Sequence, residues 1–328
     1  MSFESDQERL RTWFNETKRS FPWREEITPY KVLVSEIMLQ QTRADVVIEY
    51  FNRWIRLFPT LESLKQSPVD IILKAFEGLG YYSRARNLHK AAHVLAEHFP
   101  ANYDELIRIP GIGPYTADAI CSFAFQQKKI AMDANVQRVL SRYYASHDVK
   151  ECKKRAEQSL TDDRPYQIAE ALIELGATLC GKKPDCSSCP LNHGCKAYKL
   201  GQTDLFPLKK IRQQTTICYK KVTIFQFENM YGIRTCGEGE LFQGLSTFHE
   251  TQVDESAFLK LVADSTQTSF KPVTATATNF RFKLIAQLQV VENRVDGLEF
   301  LPVEKLVQKT FNSGHKKILL QFLGAHTV

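Results

Sequence analysis

Through the first two thirds of the chain, apolar residues recur at the three-and-four spacing of half-buried helices, and the breaks between them carry helix-start signals. Thr28-Pro29 and Ser67-Pro68 each set a hydroxyl before a proline at a first helical position, while Thr42 with Asp45 and Ser67 with Asp70 have the form of capping boxes. The pattern predicts helices over 6–18, 29–39, 43–57, 68–77, 82–98, 114–126, 134–145, 151–160 and 165–178, with no strand between them. After Cys195 the period is lost in "KLGQTDLFPLKKIRQQTT", whose glycine, proline and basic cluster read as a linker. Beyond it "KKVTIFQF", "YGIRTC" and "RFKLIAQLQVV" are β-branched and aromatic runs of strand length, and "SGHKKILLQFL", capped by Ser313, reads as a last helix. The expected organisation is a mainly α domain over 1–200, a linker over 201–216 and a smaller α+β domain over 217–328.

Composition supports globular domains: 328 residues, 43% hydrophobic and 11% aromatic, can fill two cores. The first residues, "MSFESDQERLRTWF", are polar rather than a basic stretch followed by an apolar one, and no apolar run approaches membrane-spanning length. The expectation is therefore a cytoplasmic or nucleoid-associated protein with no membrane partner. A net charge of +6 suits an anionic partner such as nucleic acid, a weak signal shared by many enzymes.

Three polar groups stand out against this pattern. Glu36 is the one charge in "VLVSEIMLQQT", on a helix whose Val32, Leu33, Ile37 and Leu39 form a broad apolar surface. It is either a border glutamate reaching for water or a desolvated carboxyl able to hold a proton at neutral pH and act as a general acid. Asp133 precedes a helix from Ala134. It reads as an N-cap, and a carboxylate held there could also stabilise positive charge on a neighbouring sugar. Together, a protonated and an ionised carboxyl have the division of labour that breaks glycosidic bonds. In "IPGIGPYTADAI" the Gly111-Ile112-Gly113 turn before Pro114 makes a helix-hairpin-helix, whose glycines let backbone N–H groups approach a phosphate.

Of eight cysteines, Cys180, Cys186, Cys189 and Cys195 fall in one short loop with C-x5-C-x2-C-x5-C spacing. Such clustering means a metal site. A single Cys-x2-Cys pair flanked by lone cysteines favours an iron–sulfur cluster over the paired knuckles of zinc. The other four are scattered, and Cys121 reads as a core residue.

"FPWREEITPYKVLVSEIMLQQTRADVV", "GLGYYSRARNL", "IPGIGPYTADAI", "MDANVQRVLSR" and the cysteine loop, in this order, resemble the MutY-type adenine DNA glycosylases of the endonuclease III helix-hairpin-helix superfamily. The likeness covers residues 1 to about 200. It implies that Glu36 protonates N7 of a flipped-out adenine, that Asp133 stabilises the oxocarbenium-like sugar, and that Asn135 and Tyr115 stand beside it. It further implies that Gln41 and Tyr81 wedge into the base stack and that Trp23 and Arg24 line the adenine pocket. Phosphates are expected to be gripped by the hairpin at Gly111 and Gly113 and by basic residues such as Arg84, Arg86 and Lys90, unless these last are simply a solvated face. The four clustered cysteines match the ligands of a [4Fe-4S] cluster. The implied partner is double-stranded DNA containing adenine mispaired with 8-oxoguanine or guanine, bound by a monomer. Tyr115 stands where the bifunctional relatives carry a lysine nucleophile, so a monofunctional enzyme is expected.

The chain also departs from that pattern. Its first cysteine spacing is five where the family has six. In the C-terminal part, where the family is Nudix-like in fold and reads 8-oxoguanine through a Phe-Ser-His loop, the comparable stretch is "TNFRFKLIAQLQV"; "GLSTFHE" replaces "GLWEFP". No Nudix catalytic motif is present. Two rivals follow: an endonuclease III-like glycosylase and lyase, disfavoured by Tyr115, and a non-catalytic iron–sulfur DNA-binding protein, disfavoured by Glu36 with Asp133.

Overall fold

The structure, a computed structural model, describes residues 3–208, 214–265 and 270–326. Contacts gather the chain into two compact units, one of residues 3–67 and 87–208, the other of residues 68–86 and the described residues from 214 onward. The expected linker over 201–216 passes through 209–213, outside the described residues; a short 3-10 turn, Thr203–Leu205, precedes that gap.

The first unit is helical: α1 (Phe3–Thr17), α2 (Pro29–Leu39), α3 (Ala44–Leu57), α4 (Leu61–Gln66) and, after residue 86, the body of α6 (Ser83–Leu95). There follow α7 (Tyr103–Leu106), α8 (Pro114–Ala119) running into a π-helical turn over Ile120–Ala124, α9 (Ala134–Tyr144), α10 (Val149–Gln158), α11 (Pro165–Ala177) and α12 (Lys196–Lys199). The apolar spacing that predicts α3 buries Val47, Phe51 and Trp54 along one stripe. One core cluster joins Leu10 and Phe14 of α1, Val136 and Leu140 of α9, and Leu172 and Leu175 of α11. Glycine at 176 lets α9 and α11 touch, because a Cβ there would lie 2.5 Å from the Cβ of Asn135.

Three expected caps are corrected. Thr28 does accept from the Lys31 N–H, but α3 is preceded by Arg43 with no side-chain cap, since Thr42 lies one residue too early. The helix α5 (Val69–Ala75) starts after Pro68, which has no capping side chain; the Ser67 hydroxyl instead donates to Ser63 O at the end of α4. A capping box does form, unforeseen, between Thr60 and Ser63. The last helix is capped by Asn312, whose Oδ1 accepts from the N–H groups of Gly314 and His315, rather than by Ser313.

In the second unit α5 accompanies an α+β fold. Strands β1 (Thr216–Phe227), β2 (Met230–Thr235), β3 (Ser246–Thr247), β4 (His249–Val253), β5 (Val273–Ala277), β6 (Phe280–Val290) and β7 (Glu299–Leu301) form a mixed sheet ordered β3-β2-β1-β6-β5, with β4 also on β1 and β7 on β2. The β1–β6 pairing is parallel, from Thr216↔Phe280 to Gln226↔Val290. Helices α13 (Glu255–Asp264), α14 (Val303–Leu306) and α15 (Ser313–His326) complete it, with Ile318, Leu319 and Phe322 of α15 packed on Val222, Ile224 and Leu284. The three strand runs of the sequence are β1, β2 and β6. The short strands and α13 carry too little pattern to be read.

Candidate active site

Tertiary burial decides what Glu36 is. It lies in the middle of α2, where every residue from Val32 to Met38 is buried, and it is itself only 5% exposed. Burial pushes its carboxyl up to about 7. The hydroxyl of Tyr115, donating to Oε2 at 2.6 Å, pulls the other way; nearby Asp133 and Glu170 push up again and Arg24 pulls down. Near neutrality a substantial fraction of the group therefore holds a proton. Burial, and after it the charge and hydrogen bond of Glu36, raise the phenol of Tyr115 well above its ordinary range, so it acts as a donor and not as a base.

Asp133 is the N-cap that the sequence suggests. Its Oδ1 accepts from the Val136 N–H at 2.7 Å and its Oδ2 from the Asn135 amide at 2.9 Å. Burial raises this carboxyl too, opposed by those hydrogen bonds and by Arg138. Glu36, Tyr115, Asp133 and Asn135 line one cavity of about 910 Å³ in the helical unit, to which Trp23, Arg24 and Gln41 also contribute. Trp23 is stacked on Phe21 at 4.7 Å and set edge-on to Phe51, which gives the cavity a fixed aromatic wall. Gln41 is exposed with a φ of 58°, a left-handed turn directly after α2.

The cavity has a second acidic pair that sequence reasoning missed. Glu170 and Glu174, one turn apart on α11, hold Arg24 by contacts of 3.1 Å each, and Glu174 also takes Arg19 at 2.5 Å. Glu174 is 1% exposed, and each of its carboxyl oxygens meets one of the two guanidiniums. The signal was present as two carboxylates four residues apart in the otherwise apolar run "EALIELGAT", the same signal as at Glu36.

The chain matches, over residues 34–162, the family described as HhH-GPD superfamily base excision DNA repair protein. An adenine DNA glycosylase of Buchnera aphidicola subsp. Schizaphis graminum is 34% identical over 260 residues, 74% of this chain and 74% of that one. The chain belongs to the adenine DNA glycosylase family. A second relative, an adenine DNA glycosylase of Buchnera aphidicola subsp. Baizongia pistaciae, is 41% identical over 191 residues, which span 55% of this chain and 54% of that protein. Among solved structures, a thermostable thymine-DNA glycosylase superposes with a TM-score of 0.56 at 27% identity, covering 60% of this chain and 96% of its own. The family is one of DNA glycosylases of base-excision repair.

Around the hairpin, Gly111 takes a φ of 84°, and a Cβ there would overlap the side chain of Asn87. Gly113 has an extended backbone and precedes α8 as its N-cap. Of the expected phosphate contacts, Arg84 is buried, with its guanidinium donating to Leu79 O and Gly80 O and lying over the Phe76 and Tyr81 rings, and Arg86 donates to Gln243 O at 2.5 Å. Both guanidiniums serve the second unit's own structure; Lys90 is exposed. Tyr81, also in the second unit, is exposed at 43% in a left-handed turn with a φ of 49°.

All four clustered cysteines line a single small cavity, with Arg142 and Tyr198. Among the described residues no three side chains of His, Cys, Asp or Glu gather closely enough for one metal ion. Two arginines that the sequence did not single out organise the loop. Arg142 donates to Gly181 O at 2.7 Å, Thr203 O at 2.8 Å and Cys180 Sγ at 3.3 Å, and Arg138 donates to Cys180 O at 2.7 Å and Asn135 Oδ1 at 2.9 Å. The five-residue spacing is accommodated by a bond from Asp185 N to Leu179 O at 3.0 Å, which closes the loop before Cys186.

Proposed function

We propose that this glycosylase hydrolyses the N-glycosidic bond of adenine mispaired with 8-oxoguanine or guanine, leaves an abasic site, and does not cut the strand. The observation that carries this reading is the buried Glu36 carboxyl, held near pH 7 and hydrogen-bonded to Tyr115 in a cavity it shares with Asp133. Glu36 gives its proton to the flipped base, the C–N electron pair leaves with the adenine, and Asp133 faces the cationic sugar. Water then adds to the sugar carbon and loses a proton, which restores the acid. Trp23 and the clamped Arg24 bound the adenine pocket, Gln41 and Tyr81 fill the stack vacated by flipping, and Gly111 and Gly113 hold a phosphate. Tyr115 has no amine with which to form a Schiff base.

The test is single-turnover adenine release from duplexes with 8-oxoguanine:A, G:A and A:T, for wild type and Glu36→Gln. Release from the first two and not the third, abolished by the substitution, is the expected result. Equal release from A:T, or borohydride trapping of a covalent DNA complex, contradicts the proposal.

The cysteine cavity fits a [4Fe-4S] cluster better than zinc. Four thiols line one cavity, and they come as a single Cys-x2-Cys pair flanked by two lone cysteines rather than as the paired knuckles of a zinc site. Bound there, the cluster would hold the loop between α11 and α12 in shape. Purified protein is expected to contain about four iron and four sulfide per chain, and Cys189→Ser to lose them. One zinc per chain without iron overturns this assignment.

A further inference from the structure

Away from the cavity and the cysteine loop, α6 carries His89 and His93 one turn apart. Their rings meet in a T-shaped arrangement, with Nε2 atoms 3.3 Å apart, ring centroids 4.8 Å apart and planes at 67°. The same Nε2 of His89 is 3.2 Å from the carbonyl oxygen of Lys65, in the last turn of α4. Hydrogen bonding accounts poorly for this convergence. A ring nitrogen offers either one in-plane hydrogen or one in-plane lone pair, so His89 Nε2 can serve both groups only by sharing a single hydrogen between them in a three-centre bond.

A cation accounts for both contacts at once. An ion at the usual zinc–imidazole distance of about 2.0–2.1 Å from two nitrogens 3.3 Å apart makes an angle of roughly 104–111° at the metal, which is tetrahedral. The 3.2 Å separation to Lys65 O is a second edge of similar length. Imidazole nitrogens with a carbonyl oxygen suit a borderline transition metal such as zinc, and water can complete the coordination. His93 is exposed and His89 half-buried, so an ion and its waters can enter. We propose that His89 and His93, with the Lys65 carbonyl, form a surface site for a divalent transition metal of the zinc class that ties α6 to the end of α4.

The site is tested by calorimetric titration of the full-length, cluster-bearing protein with zinc chloride, alongside thermal melts and excision rates. One equivalent of zinc is expected to bind and raise the melting temperature. His89→Gln and His93→Gln should each weaken binding roughly tenfold or more, at least the loss typical of removing an outer-shell partner, and abolish the thermal shift. Unchanged excision rates in both variants would show that they remain folded. Absence of zinc uptake by the wild type overturns the proposal, as does equal uptake by both variants, which would place the ion elsewhere, for instance on thiols.

Discussion

At the scale of single residues, the proposed chemistry rests on a carboxyl that the fold discourages from ionising. Glu36 is raised from 4.5 to about 7 mainly by burial, so its acid form fades as pH rises through about 7, and adenine excision should fall over the same range. The proposed reaction needs Asp133 ionised, and because burial raises it too, the acid-side loss of activity should begin above the ordinary aspartate range. The stability consequence has the same origin. The folded state binds the Glu36 proton more tightly than the unfolded chain, so this group's contribution is most favourable below pH 4.5 and is lost as pH rises through about 7. Glu36→Gln, which keeps an acceptor for Tyr115, should therefore be inactive yet more stable than wild type at pH 8, by of order 1–3 kcal/mol. Denaturant melts of both proteins at pH 5 and pH 8 check this, and an equal difference at the two pH values would contradict it.

At the scale of elements, the site depends on how closely α9 and α11 approach. Asn135 and Asp133 begin α9, Glu170 and Glu174 lie on α11, and Gly176 is where the two helices touch. A methyl group at 176 would meet not only the Asn135 side chain but its backbone, at 2.9 Å, which cannot move independently of the helix. Gly176→Ala should cost about 1–3 kcal/mol through overpacking. By displacing Asn135 and its partner Asp133, it should slow single-turnover excision on the order of 100-fold. A drop in stability with unchanged excision would show that the dyad tolerates the shift. The caps teach a related lesson: Thr42 and Ser67 looked like caps because serine and threonine before an acidic residue fit the pattern, but a helix can begin one residue later than its best capping side chain.

At the scale of the whole molecule, segment 68–86 belongs by its contacts to the second unit, although it lies in the chain between two stretches of the helical unit. Lys74 donates to the carbonyls of Val307 and Lys309, Glu77 pairs with Lys316 at 3.3 Å, and Arg86 binds the Gln243 carbonyl. A protein ending at residue 208 should therefore show faster amide exchange across 68–86 while α9 and α11 keep their protection. Unchanged exchange would mean that the helical unit alone holds the segment. Among the described residues no helix is long and apolar enough to cross a membrane.

The sequence alone determined the longer helices of the first unit, though not α4, α7 or α12, together with the three long strand runs, the hairpin turn, the cysteine spacing and the choice of Glu36 and Asp133 as candidate carboxyls. Each of these is written locally, as a period, a glycine turn, a cysteine spacing or a charge within an apolar run. Only tertiary structure decided that the Glu36 carboxyl is raised to about 7, since that depends on what buries α2. The same holds for the clamp that Glu170 and Glu174 put on Arg24, 146 and 150 residues distant, and for the arginines that brace the cysteine loop. Desolvation and ion pairing are properties of neighbours in space, and neighbours so far apart along the chain leave no mark in a local pattern.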